Sequence, residues 1–102
     1  MNIERLAEQS GLDPEDIEVI ARVFETSIQE TINRLRGAHS SGDREAMIAA
    51  LHKMAGSSAA VLGLGRINEL ARAGEDALGK QQPLDVDALC EQVETILKEA
   101  GF

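Results

Sequence analysis

The sequence predicts an all-α protein, an antiparallel up-down four-helix bundle with a short extra helix possible at the N-terminus. Apolar residues recur at spacings of three and four, as on one face of a helix, and no stretch of useful length alternates as a strand does. Hydrophobic residues make up 43% of the 102 residues, yet Phe24 and Phe102 are the only aromatics. The core must therefore consist of aliphatic side chains, methionine and alanine, which is typical of packed helices.

The first long helix has a clear start. Asp13 can act as its N-cap, Pro14 suits its first position, and acidic residues follow in its first turn. We expect this helix to run from about Pro14 to Ala38. A short helix from Ile3 to Glu8 would pack across one end of the bundle. The inward stripe of the long helix comprises Ile17, Ile20, Ala21, Phe24, Ile28, Thr31 and Leu35.

The next helix follows a turn at residues 40–43, where Asp43 is the predicted cap. Its apolar seam has the 4-3-4-3 spacing of a bundle and predicts one continuous helix that Gly63 and Gly65 interrupt. The seam residues are Met47, Leu51, Met54, Ser58 and Val61.

Two further helices complete the bundle. One is predicted from about Arg66 to Gly79–Lys80, and the other begins near Asp85 and stops at Gly101. The short links imply antiparallel neighbours in a single domain, residues 1–102. The inward residues are Ile67, Leu70, Ala71, Gly74 and Leu78 in the first, and Val86, Leu89, Val93, Ile96 and Leu97 in the second.

Composition excludes several classes of function. The net charge of −8 is unsuited to nucleic acid, although residues 44–72 hold four basic and two acidic side chains, which would suit a phosphorylated or acidic partner. Cys90 is the only cysteine, and two distant histidines do not form a metal site. We expect no metal and no cofactor. No apolar run could span a membrane and the N-terminus lacks a signal pattern, so we expect a cytoplasmic monomer.

His52 is the candidate functional residue. It follows the seam residue Leu51 and is therefore rotated by about 100° from the core stripe. Small residues surround it along the helix, with Ala55 and Gly56 one turn later and Ala59 a further turn on. Glycine inside a helix costs about 0.5–1 kcal/mol relative to alanine. We interpret Gly56 as clearance for a partner or a phosphoryl group, in preference to close helix packing.

Ile48 precedes His52 by one turn and is either a core residue or a contact for a docking partner. His39 is expected in a solvated link, and Ser57 and Ser58 are expected to supply small volume in a helix. The acidic pairs Glu75–Asp76 and Asp85–Asp87 are interpreted as helix surface and caps. No nucleotide-binding motif is present, so no autokinase activity and no enzyme function are expected.

The segment from Phe24 through Arg72 resembles the histidine-containing phosphotransfer (HPt) domain of two-component phosphorelays. In that family a Gly-Asp turn leads into a helix with the pattern His-x-x-Lys-Gly-x-[Ala/Ser]. Gly42-Asp43 matches the turn, and His52, Gly56, Ser57 and Ser58 match the motif. Two positions differ from the pattern. Ala55 stands where the family has a lysine, and Lys53 cannot simply take over the role of that lysine. The later glycine of the family pattern, expected at position 62, is found one residue further on, at Gly63.

The resemblance implies that His52 carries a phosphoryl group between receiver-domain aspartates of a hybrid sensor kinase and a response regulator. It also implies that Gly56 leaves room for the phosphoryl group and that a receiver domain docks over the His52 face. From their positions along the chain, Lys53, Ala55, Gly56 and Ala59 are the expected neighbours of the phosphoryl group, and Ile48 is the candidate docking contact. The alternative is a helical adaptor, a degenerate HPt domain that binds a receiver without carrying phosphate. The retained His52–Gly56 pair favours the carrier.

Overall fold

A computed structural model describes all residues, 1–102, as five α-helices and one 3₁₀ helix without strands. The elements are α1 (Ile3–Ser10), α2 (Pro14–Ser41), α3 (Arg44–Ala55), the 3₁₀ helix (Ser58–Leu62), α4 (Gly65–Gly79) and α5 (Val86–Glu99). The prediction of an all-α bundle with an extra N-terminal helix is confirmed.

The four long helices form a closed ring in which α2 packs against α3 and α5, and α4 packs against the same two helices. The bundle is elongated, with principal dimensions of 41 × 20 × 19 Å. Short connections join successive helices and make them antiparallel, as predicted. The short α1 contacts α2 and the 3₁₀ helix.

Local capping explains where several helices begin. The Asp43 carboxylate accepts a hydrogen bond of 3.1 Å from the backbone N–H of Ala46, and Asp85 does the same for Ala88 at 3.0 Å. Asp13 occupies the predicted N-cap position of α2, but its side chain makes no capping hydrogen bond. Gly42 ends α2 in the left-handed conformation, with φ of 70°, which favours glycine.

A single cluster of 22 buried residues forms the core and contains most of the predicted inward positions. Five of the predicted inward apolar residues are only half-buried and pack against its edge: Ile20, Met47, Val61, Leu70 and Ile96. Phe24 lies inside, where it forms a T-shaped pair with Phe102 at a centroid distance of 5.7 Å. No helix is long and apolar enough to cross a membrane.

Two helix boundaries differ from the prediction by three residues or more. The first is in α2, which extends to Ser41, so His39 lies in its last turn and not in a link. The second is in α3, which ends at Ala55, so the predicted continuous helix through Val61 is wrong. The seam spacing persists beyond Ala55, but the backbone turns at Gly56 and Ser57 and resumes as the 3₁₀ helix.

Candidate functional site

His52 lies on the exposed side of α3, three residues before the helix ends, and 78% of its side chain is accessible. Its Nδ1 lies 2.8 Å from Oε2 of Glu75, which comes from the facing helix α4. An ionised carboxylate only accepts hydrogen bonds, so Nδ1 carries the proton in this contact. In the neutral ring, Nε2 then has a free lone pair, and the rest of the exposed ring is open to a partner.

Glu75 was interpreted from the sequence as helix surface, and that interpretation is wrong. Only 27% of its side chain is accessible, and its carboxylate holds the imidazole of His52. The contact crosses from α4 to α3, where the two helices pack. The sequence contains a partial signal, because Asn68, Arg72 and Glu75 are spaced four and three apart and so share one face of α4.

Asn68 determines where α3 ends. This side chain is buried, and its Nδ2 lies 3.0 Å from the carbonyl oxygen of Ala55 and 3.1 Å from that of Ser57. The last carbonyls of a helix have no partner within the helix, and a buried amide donor compensates for that loss. Asn68 therefore stabilises the turn that carries Gly56 away from the helix axis.

Gly56 is the C-cap of α3. The interpretation of Gly56 as a glycine inside a helix is therefore wrong. It is exposed, and its φ of −92° is accessible to other residues. An added Cβ would meet only the carbonyl oxygens of His52 and Lys53, at 3.7 and 4.0 Å. Neither backbone conformation nor packing therefore requires glycine at this position, one turn from His52.

The other predicted neighbours of His52 are dispersed. Ala55 is buried at 6% exposure, and Ala59 is fully buried within the 3₁₀ helix, so Ala59 is not on the continuation of the His52 face. Lys53 is exposed but borders the groove between α2 and α3, on the side of α3 away from Glu75. Ile48 is half-buried and packs against the core with part of its surface accessible.

Arg72 is the cation that lies beside this part of α3. Its Nη2 is 3.4 Å from the carbonyl oxygen of Ala55, and it forms no ion pair. Arg66, by contrast, faces Glu69 on its own helix at 3.5 Å. No group of three or more His, Cys, Asp and Glu side chains is arranged to hold a metal ion.

The one other long-range ion pair joins Arg36 of α2 to Glu94 of α5, with an N–O distance of 2.6 Å. The guanidinium hydrogen bonds of Arg36 lower the pKa of the Glu94 carboxyl below its usual value, and the carboxylate raises the pKa of Arg36. Burial raises the pKa of the Cys90 thiol, so this side chain is an inert core residue.

Comparison with known protein families agrees with this architecture. The model of the family described as "Hpt domain" matches residues 19–101, from the first turns of α2 to the end of the chain's last helix. No curated protein and no solved structure matches the chain at a significant level. The family match covers most of the sequence, including α3, α4 and α5, and the chain belongs to the Hpt domain family.

Proposed function

We propose that this protein is a phosphocarrier of two-component signalling that accepts and donates a phosphoryl group at Nε2 of His52. Membership of the Hpt domain family implies a phosphotransfer module. The observation that carries the assignment to His52 is the 2.8 Å contact between its Nδ1 and Glu75, on a ring that is otherwise exposed. His39 has no comparable partner among the side-chain hydrogen bonds of the chain.

The chemistry requires no proton transfer. The Nε2 lone pair attacks the phosphorus of a phosphorylated receiver aspartate, the bond between phosphorus and the aspartate oxygen breaks, and the aspartate leaves as a carboxylate. The proton on Nδ1 remains hydrogen-bonded to Glu75. This carboxylate then balances the positive charge that the ring acquires as the new P–N bond forms. Onward transfer to a second receiver is the same step in reverse.

We expect the partner to supply the rest of the catalytic machinery, because Glu75 is the one carboxylate in contact with the ring and no further metal-ligating side chains are grouped with it. We therefore propose a receiver domain of a response regulator or hybrid sensor kinase as the partner, and no autokinase activity. In this proposal the receiver docks over His52 and Gly56 and contacts the accessible part of Ile48. Residues 1–102 act as one domain, monomeric and cytoplasmic.

The deciding experiment is phosphoryl transfer from a radiolabelled phosphorylated receiver to three versions of the protein. The wild type and the His39→Ala variant are expected to acquire an acid-labile, base-stable label, and His52→Gln is expected to acquire none while it remains folded. Label that persists in His52→Gln would overturn the assignment. If the wild type binds the receiver but is never labelled, the protein is the phosphate-free adaptor.

Incubation with ATP and magnesium alone separates a carrier from a kinase. The expected result is no label, because the sequence contains no nucleotide-binding motif. Self-labelling would contradict the proposed role.

A further inference from the structure

We propose that Arg72 contacts the phosphoryl group on His52 and provides the positive charge that a lysine at position 55 would otherwise provide. This inference rests on the proposed function, because it assumes that His52 carries the group. The cation next to His52 in the sequence is Lys53, whereas the packing of α3 against α4 brings a different cation to the site.

The position of Arg72 follows from two successive contacts between antiparallel helices. Glu75 contacts the ring of His52, and Arg72, one turn earlier on α4, contacts the backbone of Ala55, one turn later on α3. A helical turn rises about 5.4 Å, which is less than the length of an extended arginine side chain. The guanidinium can therefore swing from Ala55 toward the ring without any movement of the helices.

Arg72 is also free to make this contact. Its one hydrogen bond is long, at 3.4 Å, and uses a single donor of a group that has five. The spacing of Arg72 and Glu75 would allow an ion pair along α4, but the Glu75 carboxylate binds His52. The protein has a net charge of −8, yet this cation has no carboxylate partner.

The remaining cations are less well placed. Lys53 projects toward the groove between α2 and α3, and Arg66 pairs with Glu69 nearer the start of α4. A lysine at position 55 would have to extend from a residue that is buried in this structure. Of the charged side chains near His52, Glu75 contacts the ring, Arg72 lies one turn earlier on α4, and Lys53 borders the groove on the other side of α3.

The test measures the ionisation of the phosphoryl group itself. Potassium phosphoramidate, a chemical donor that needs no protein partner, is used to label His52 in a His39→Ala background. Phosphorus NMR then follows the second ionisation of the phosphohistidine as the pH is varied. The variants are Arg72→Gln, which keeps a hydrogen-bond donor but no charge, Arg72→Lys, which keeps the charge, and Arg66→Gln, which removes one charge elsewhere on α4.

Arg72 favours the dianion, so Arg72→Gln is expected to raise the titration midpoint by about 0.5 pH unit, the scale of a partly exposed charge contact. The same loss lowers the equilibrium constant for transfer from a receiver about threefold. Arg72→Lys is expected to restore most of both values, and Arg66→Gln to leave them unchanged. No shift in Arg72→Gln, or an equal shift in both glutamine variants, would overturn the inference.

The two proposals fail differently. If a phosphorylated receiver does not label His52, the carrier function is wrong, and the NMR comparison on chemically labelled protein still decides whether Arg72 contacts the group. If the receiver labels every variant at one rate and the midpoints coincide, the carrier function stands and the role of Arg72 is wrong. Failure of both donors to label His52 would overturn both proposals.

Discussion

His52 has two ring nitrogens, and its contact with Glu75 determines which of them is available. The 2.8 Å distance and the acceptor character of the carboxylate place the proton on Nδ1. The same contact fixes the rotation of a ring that is otherwise 78% accessible. A freely rotating imidazole would lose conformational entropy on docking, so the fixed ring favours the proposed transfer.

Glu75→Ala is expected to slow transfer from a phosphorylated receiver by about tenfold, because a charge-assisted hydrogen bond is worth about 1.5 kcal/mol. Glu75→Gln is expected to lose less, since its amide oxygen can still accept from Nδ1. Rapid-quench kinetics measure both rates. Asp76→Ala is the matched control, because Asp76 pairs with Lys80 at 3.0 Å and is 64% accessible. Equal rates for wild type and Glu75→Ala would show that the contact is dispensable.

Gly56→Gln is expected to block transfer while changing stability little. The residue is exposed, its φ is ordinary, and an added Cβ meets no side chain within 4 Å. The longer side chain would instead occupy the space beside His52. Transfer rate and melting temperature are compared with those of Gly79→Gln, another helix-terminal glycine with an open surrounding. A parallel fall of rate and melting temperature would show that Gly56 serves folding.

At the scale of the helices, the end of α3 depends on a contact from another helix, which the spacing of apolar residues along α3 cannot reveal. The stripes of α2, α4 and α5 follow from spacings within each helix, and the structure buries most of their residues, leaving Ile20, Leu70 and Ile96 half-buried. The end of α3 depends on Asn68, fourteen residues after Met54, whose amide binds the last carbonyls of the helix. The apolar seam continues past that point, so periodicity alone predicts a longer helix.

The candidate site was predictable to a similar extent. His52 and Gly56 could be selected because an off-seam histidine with small neighbours is unusual within a single helix. Glu75 and Arg72 could not be assigned to it, because their contacts depend on the relative rotation of α3 and α4. Their 4-3 spacing with Asn68 shows only that the three share a face.

The packing of α3 against α4 limits the size of the side chain at position 55. The family pattern has a lysine at position 55, but Ala55 is buried at 6% exposure and its carbonyl oxygen accepts hydrogen bonds from Asn68 and Arg72. Ala55→Lys is therefore expected to destabilise the protein by about 1–2 kcal/mol, the range of an oversized substitution. Chemical unfolding measures the loss, with the exposed Ala49→Lys on the same helix as control. Unchanged stability would show that α3 and α4 have room for the longer side chain.

The Arg36–Glu94 pair links α2 to α5 and gives a modest dependence of stability on pH. The pKa of Glu94 is lowered in the folded protein, so its contribution is present above the usual carboxyl range and disappears as the pH falls through the folded value. About two fifths of each side chain is accessible, so solvent screening keeps the contribution small. Urea unfolding of Glu94→Gln should differ from wild type near neutral pH, and the difference should vanish once the pH falls below the lowered pKa of folded Glu94. A difference that persists in acid would contradict this electrostatic origin; Glu91→Gln, which removes an unpaired charge on α5, is the control.

At the scale of the whole molecule, α1 contributes to the stability of the bundle but does not contact the helices of the candidate site. The family match begins at residue 19, after α1, yet Leu6 and Ala7 belong to the central core. Leu6 also packs against Gly63, where an added Cβ would lie 3.3 Å from the leucine. The helix contacts α2 and the 3₁₀ helix, whereas His52, Glu75 and Arg72 lie on α3 and α4. The short helix thus closes the bundle without reaching the site.

Leu6→Ala is accordingly expected to lower the free energy of unfolding by about 2–3 kcal/mol, the cost of a truncated core leucine. Transfer at His52, measured at a temperature where the variant remains folded, is expected to keep the wild-type rate. The control is Leu12→Ala, because Leu12 is 39% exposed and its truncation should leave both quantities nearly unchanged. The transfer measurement is needed because α1 contacts the 3₁₀ helix, which follows the turn at Gly56 and Ser57. If the folded Leu6→Ala protein transfers several-fold more slowly, that segment transmits the packing of α1 to the turn at Gly56, and the N-terminal helix is part of the functional unit.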